Sequence, residues 1–229
     1  MSHILVTGGA GFIGYYLSLH LSHQNNDVTV IDNFARSEED AEFKHLITRP
    51  NVHFVKGDIT NPQTLEGLVD TFDHVYHLAM INGTKNFYEK PHEVIRVGVM
   101  GTLNILDWMA QRKQGKLLFA SSSEAYAGAL KIMGDKFPLP TPEEVPLVID
   151  DPTNVRWSYA ASKIIGEVAL HSFAHVGKLP DYTIVRYHNI YGPRMGFDHV
   201  VPQVIERIIQ KENPFKIYGA QQTRTFCYV

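Results

Sequence analysis

Short apolar runs alternate along this chain with stretches in which apolar residues recur every third or fourth position. Ile4-Leu5-Val6, Val28-Thr29-Val30-Ile31-Asp32, Val52-His53-Phe54-Val55, Val75-Tyr76-His77-Leu78-Ala79, Lys116-Leu117-Leu118-Phe119-Ala120 and Tyr182-Thr183-Ile184-Val185-Arg186-Tyr187 have the length and composition of buried strands. Between them, three sets predict amphipathic helices: Ile13, Tyr16, Leu17 and Leu21; Leu65, Leu68, Val69 and Phe72; and Val99, Leu103, Leu106 and Ala110, closing at Gly115. Another helix starts near Ser158, and Val200 to Ile209 reads as one more. Residues 37–40 are polar and charged and read as loop and surface helix. Residues 128–155, broken by Pro138, Pro140, Pro142, Pro146 and Pro152, read as a loop too irregular for regular elements, a lid or substrate wall. Phe215 to Tyr218 and Thr225 to Val229 read as strands. The repeated strand-helix order predicts an α/β fold with a doubly wound parallel sheet.

The first strand runs into Thr7-Gly8-Gly9-Ala10-Gly11-Phe12-Ile13-Gly14, and a helix follows. Gly9-x-Gly11-x-x-Gly14 matches the dinucleotide fingerprint: a glycine for the turn, one for approach of the backbone to a diphosphate, one for helix-on-strand packing. The diphosphate then sits at the positive end of the helix. Asp32, at the tip of the second strand, is placed to accept from the adenosine ribose hydroxyls and repels a 2′-phosphate. That predicts a Rossmann-type sheet and NAD rather than NADP, with Arg36 the residue able to reverse the preference. Gly57-Asp58-Ile59-Thr60 ends the third strand, where Asp58 and Ile59 are candidates for the adenine edge or for a helix cap before Pro62. Small Ala79, after Leu78 on the fourth strand, lets a cofactor pass close to the backbone.

Composition narrows the partners. Of 229 residues 44% are hydrophobic and the formal charge is -3 without basic clusters, which argues against nucleic acid. The single cysteine, Cys227, excludes an internal disulfide and reads as a small buried apolar residue in a reducing, cytoplasmic setting. No apolar span of membrane length occurs, and twelve scattered histidines without paired ligand spacing predict no metal site.

Tyr159 and Lys163 lie four apart on a predicted helix, so both side chains leave one face. An ammonium beside a phenol favours the phenolate, lowering the tyrosine pKa toward that of a general base. Such a base takes the proton of a sugar hydroxyl while hydride leaves the same carbon. Ser122, ending the fifth strand, is placed to hydrogen-bond that oxygen.

Through TGGAGFIG, GDIT, HLA, SSSEAY, YAASK, RYHNIYGPR and QTRTFCYV, the sequence resembles the extended short-chain dehydrogenase/reductases of the NAD-dependent nucleotide-sugar epimerase/dehydratase family along its whole length. The resemblance implies that Gly8, Gly11, Phe12, Ile13, Gly14, Asp32, Asn33, Asp58, Ile59, Leu78, Ala79, Tyr159 and Lys163 hold NAD. It implies catalysis by Ser122, Tyr159 and Lys163, and a substrate diphosphate met by Asn189 and Arg224, with Ser123 and the Val200-Val201-Pro202 stretch near the substrate. It also implies a homodimer through the helices carrying Val99 and Tyr159. Ser123-Glu124 after Ser122 is similar to the pattern of UDP-glucuronate decarboxylases, GDP-mannose dehydratases and some epimerases. Once C4 is a ketone the C5 proton is acidified, and Glu124 is a base able to remove it. Dehydration therefore leads narrowly over decarboxylation and 4-epimerisation; a loop carboxylate bonding backbone N–H groups is the structural alternative for Glu124. Three departures stand out: Gly98 where the family has asparagine, Ala127 where it has glycine, and family members that continue beyond the last strand. Residues 1–187, with the 128–156 loop, then form the NAD-binding domain, and residues 188–229 an incomplete C-terminal substrate-binding lobe. A non-catalytic NAD-binding regulator is the alternative from a different class.

Overall fold

A computed structural model describes every residue except those numbered 69, 70, 180, 197, 198, 218 and 222. Six strands form one parallel sheet in the order β3-β2-β1-β4-β5-β6. They are β1 (His3–Thr7), β2 (Asp27–Asp32), β3 (Val52–Lys56), β4 (His74–His77), β5 (Lys116–Ser122) and β6 (Tyr182–Tyr187). The order reverses between β1 and β4, which opens a crevice at the carboxyl ends of the strands. Thr7, Asp32, His77 and Ser122 all end strands there.

Alternation along β1 explains the two layers. Leu5 faces a core with Ile31, Val75, Leu117 and Phe119, covered by α3 (Pro62–Glu66), α5 (Pro91–Arg112) and α7 (Ser158–His175). Ile4 and Val6 face the other core with Val28, Val30 and Phe43, covered by α1 (Phe12–His23) and α2 (Ala41–Leu46). Each side chain in these positions is at most 2% exposed. At about 25 cal/mol per Å² of apolar surface, such burial is what pins the register.

Several expectations are corrected. The buried stripe of α5 runs through Val94, Gly98, Thr102, Ile105, Leu106 and Met109, whereas Leu103 is exposed and Val99 and Ala110 are half-buried. Of the four expected positions only Leu106 is fully buried, because the face in the core combines small Gly98 and Thr102 with bulky Ile105 and Met109. α3 is a five-residue turn capped by Asn61, so Asp58 is not its cap. Val69 lies outside the described residues. Residues 128–155 are not wholly irregular: α6 (Ala127–Met133) and a 3-10 turn (Gly134–Lys136) precede the prolines. Ala127 itself has helical backbone angles, so the position needs no glycine.

Two elements had no sequence signal read for them: α4 (Thr84–Glu89) and β7 (Asn189–Tyr191). β7 pairs in parallel with β8 (Phe226–Tyr228) in a separate two-stranded sheet, and α8 (Val200–Ile209) lies between them in sequence. Phe215 to Ile217 is not a strand, and Tyr218 lies outside the described residues. Cys227, on β8, is exposed rather than buried. Among the described residues no helix is long and apolar enough to cross a membrane.

Candidate functional site

The crevice at the strand ends is a cleft of about 1040 Å³. Its floor is the glycine turn. Gly8 takes a left-handed φ of 72°, and a Cβ there would lie 2.8 Å from the Ala79 backbone; a Cβ on Gly14 would lie 2.2 Å from the Gly8 carbonyl oxygen. The opening turn therefore belongs to Gly8, not Gly9. α1 starts at Gly11 without a side-chain cap, so its first turn presents backbone N–H groups where Gly11, Phe12 and Ile13 line the cleft.

Asp32 accepts from the backbone N–H of Ala10 at 3.0 Å, from that of Phe34 at 2.8 Å and from the Ser37 hydroxyl at 2.9 Å. The carboxylate is thereby fixed at the edge of the turn with acceptor capacity left over. Asn33 donates to Asp58 at 3.1 Å, and Asp58 also accepts from the backbone and hydroxyl of Thr60. Burial alone raises the Asp58 carboxyl; these hydrogen bonds outweigh it and hold the group below the ordinary carboxylate range.

Beneath Ala79 runs a buried polar chain that sequence reasoning missed. The Ala79 N–H donates to the Thr7 hydroxyl at 3.2 Å, and the Thr102 hydroxyl donates to the Gly98 carbonyl at 2.6 Å. Both hydroxyls meet the His77 ring, at Nδ1 (2.9 Å) and Nε2 (3.1 Å). With the Thr102 proton already committed, Nε2 is the protonated nitrogen and Nδ1 accepts from Thr7. Burial, reinforced by the Lys163 charge, pushes His77 down to about 3, so the ring stays neutral and locks the tip of β4 to β1 and α5.

The other wall carries Tyr159 and Lys163. Tyr159 and Lys163 share one face of α7, 8% and 5% exposed. The Lys163 ammonium sits 5.0 Å from the Phe119 ring centroid and 5.6 Å from that of Tyr159. Phe87, from α4, stacks on Tyr159 at 5.0 Å and 20°. Here the expected lowering of the tyrosine is overturned. Burial pushes the phenol up to about 12, against a hydrogen bond from Ser122 and with the negative Glu124 adding to the rise. Burial likewise pulls Lys163 down to about 8, against the attraction of Glu167. The ammonium lies over the aromatic face, and desolvation of both groups outweighs their proximity.

Ser122 ends β5, accepts from the Glu124 N–H at 3.2 Å and so starts the 3-10 turn (Ser123–Tyr126) that aims Glu124 into the cleft. Among the described residues the Glu124 carboxylate bonds no backbone N–H group: it pairs with the Arg156 guanidinium at 3.0 Å. Each of these side chains is about a third exposed. Gly98 also has a physical reason. A Cβ there would lie 2.5 Å from the hydroxyl of buried Ser162, so an asparagine would push α5 off α7 beside Tyr159.

All the residues expected to hold cofactor line this cleft, as do Ser122, Ser123, Glu124 and Asn189. Val200 and Arg224 do not. Val200 opens α8 with its side chain exposed, and Arg224 lies on the exposed approach to β8. Asn189 donates to the Thr225 carbonyl at 2.9 Å, bridging β7 and β8. Two cations, Arg194 lining the cleft and Arg156 paired with Glu124, were missed. Arg156 lies 32 residues from its partner, and Arg194 is held by Asp40 and Glu42, some 150 residues away. Spacings of that length carry no pairing signal in one sequence.

The sequence profile of the NAD dependent epimerase/dehydratase family matches residues 4–229. The chain belongs to that family. A UDP-N-acetyl-alpha-D-glucosaminuronate decarboxylase of Bacillus cytotoxicus is 36% identical over 98% of this chain and 67% of its own length. UDP-glucuronic acid decarboxylase 1 of Arabidopsis thaliana is 34% identical over 99% of this chain and 49% of its own. Among solved structures, a UDP-galactose 4-epimerase (30% identity, TM-score 0.77) covers 99% of this chain and 67% of its own. A UDP-N-acetylglucosamine 4-epimerase from Methanobrevibacter ruminantium (27%, TM-score 0.82) covers 99% and 69%. The chain thus spans about half to two thirds of the length of these relatives. NAD is the cofactor of the family, and the residues present fit it: a glycine cradle that any Cβ would fill, an uncapped helix start above it and a fixed carboxylate beside it.

Proposed function

We propose that this chain is the cofactor-holding and proton-handling part of an enzyme that oxidises C4 of a nucleotide-linked sugar, and that the sugar is a UDP-hexuronate which then loses its C6 carboxylate. The observation that carries the C4 oxidation is the convergence of Ser122, Glu124, Tyr159 and Lys163 with the glycine turn on one cleft. The relatives at 36% and 34% identity, both named decarboxylases of UDP-linked uronates, move the choice of outcome from dehydration to decarboxylation.

Gly8, Gly11, Phe12, Ile13 and Gly14 hold the diphosphate in this reading, Asp32, Asn33, Asp58 and Ile59 the adenosine, and Leu78 and Ala79 the passage between. Bound there in its oxidised form, NAD supplies a hydride acceptor and a positive ring charge. Burial favours the neutral phenol of Tyr159. The positive charges of Lys163 and of a bound nicotinamide ring would draw it to the phenolate that takes the C4 hydroxyl proton, with Ser122 bonding the same oxygen. A C4 ketone places the C6 carboxylate β to a carbonyl. Carbon dioxide then leaves, its bonding electrons pass into the C4–C5 enolate, and C5 takes up a proton. No base at C5 is needed for that bond to break. Dehydration or epimerisation is the second reading, favoured by the opening of the Glu124 carboxylate onto the cleft.

UDP-glucuronate labelled at C6, incubated with the protein and NAD, tests the choice. Labelled carbon dioxide is expected; an epimeric UDP-hexuronate that keeps its label, or a 4-keto-6-deoxy sugar formed from a UDP-hexose offered in parallel, supports the second reading. No product from either sugar, with NAD still bound, leaves the non-catalytic NAD-binding reading. We further propose a homodimer through α5 and α7, supported by exposed Ile95, Leu103, Ile165 and Val168 on those helices. Sedimentation at twice the monomer mass is the expected result.

A further inference from the structure

We infer that Arg194 is a positioning residue for the cofactor, a strap from the C-terminal part of the chain that slows release of the nucleotide from the glycine turn. The inference rests on the NAD site described above. Arg194 follows β7, yet its partners all lie within the first 42 residues. One Nη1 group bonds Asp40 at 2.5 Å and Glu42 at 2.8 Å, and Nη2 donates to the Ala10 carbonyl at 3.2 Å. The guanidinium lies over the Tyr15 ring, 4.1 Å from its centroid. The side chain is 10% exposed.

These partners are the two edges of the cofactor cleft. Ala10 is inside the glycine turn, and its own N–H is bound by Asp32. Asp40 caps α2, at the end of the loop that follows Asp32. Arg194 thus ties three segments together: the turn, that loop and the chain after β7. The arrangement is held at some cost. Arg194 has a left-handed φ of 65°, unfavourable for any residue with a side chain, and its buried Nε–H has no partner among the described residues. Arg36, on the loop that ends at Asp40, reaches Gly83 and the segment after Arg194: a Cβ on Gly83 would lie 3.1 Å from its Nη1 and one on Gly196 4.0 Å from its Nη2.

A strap here has a chemical purpose. A cycle that first removes and later returns a hydride needs one and the same nucleotide throughout, and escape midway strands a ketone. Ion pairs to half-exposed carboxylates are individually weak, but a forked guanidinium with three acceptors and a stacked ring acts as a unit.

Two variants separate the strap from simpler roles. Arg194→Met keeps a stem over Tyr15 and loses the fork. Asp40→Asn with Glu42→Gln keeps the α2 cap and Arg194 itself but loses the charged anchors. The readouts are the NADH release rate and the rise in melting temperature that NAD produces. Both variants are expected to release NADH at least ten-fold faster and to lose about 1.4 kcal/mol of NAD-dependent stabilisation, the equivalent of ten-fold in affinity. If Arg194 were only a counter-charge for the diphosphate, freeing it from Asp40 and Glu42 would slow release, and that result overturns the strap. Unchanged release in Arg194→Met overturns it as well. A wild-type chain that binds no NAD fails at the cofactor site itself, and the strap falls with it.

Discussion

Two neighbouring regions of one cleft, a dry end and a wet end, are built on opposite principles, although the Glu124 charge reaches Tyr159. At the dry end Tyr159 and Lys163 are at most 8% exposed, and burial pushes the phenol up to about 12 and the ammonium down to about 8. At the wet end Glu124 and Arg156 face each other with a third of each side chain in solvent. A charge in the dry end is set by desolvation; a pair in the wet end is screened and adjustable. The C4 oxidation common to every proposed outcome is assigned to the dry end, and the steps on which those outcomes differ to the wet end.

The largest effect tests the dry end directly. Tyr159→Phe removes one hydroxyl from a position stacked on Phe87, and turnover of a nucleotide sugar is expected to fall at least about 10³-fold with NAD binding retained. A loss under ten-fold breaks the division between the two ends.

Next comes the cost of keeping a buried ammonium. Lys163 ordinarily titrates at 10.5 and here at about 8, so between those values the unfolded chain holds more protons and stability rises with pH. Tyr159 acts in the opposite sense above 10, where the folded phenol alone keeps its proton. The rise is therefore confined to roughly pH 8–10. Lys163→Met is expected to flatten it and to stabilise the protein at pH 7 by on the order of 3 kcal/mol, read from urea midpoints.

Glu124→Gln sharpens the division. Decarboxylation needs no base at C5, so carbon dioxide release is expected to slow less than about ten-fold, whereas general-base work at C5 would cost about 10²–10⁴. Arg156→Met is the smallest change. An ion pair a third exposed contributes under about 1 kcal/mol, so the unfolding midpoint is expected to move by a few degrees at most.

The sequence made the sheet legible because each strand is a short apolar run and each turn is punctuated. The glycine turn, Asp32 and the Tyr159–Lys163 spacing were legible for the same reason: their geometry is local. What escaped was non-local or carried by small residues. The buried face of α5 was only partly read because Gly98, Gly101 and Thr102, not Leu103, meet the core beside Ile105 and Met109. α4, six residues whose single buried side chain is Phe87, has too little pattern to register. The direction of the Tyr159 shift was wrong because spacing places a lysine nearby but does not say that both groups are dry. Arg156 and Arg194 find partners only after folding.

Absorbance of reduced nicotinamide, followed in a single turnover after mixing enzyme, NAD and UDP-glucuronate, tests the central claim most directly. Wild type and Glu124→Gln are expected to form NADH in the first phase at comparable rates, and Tyr159→Phe to form none on that timescale. NADH appearing in Tyr159→Phe at the wild-type rate, or absent in Glu124→Gln alone, would contradict the account.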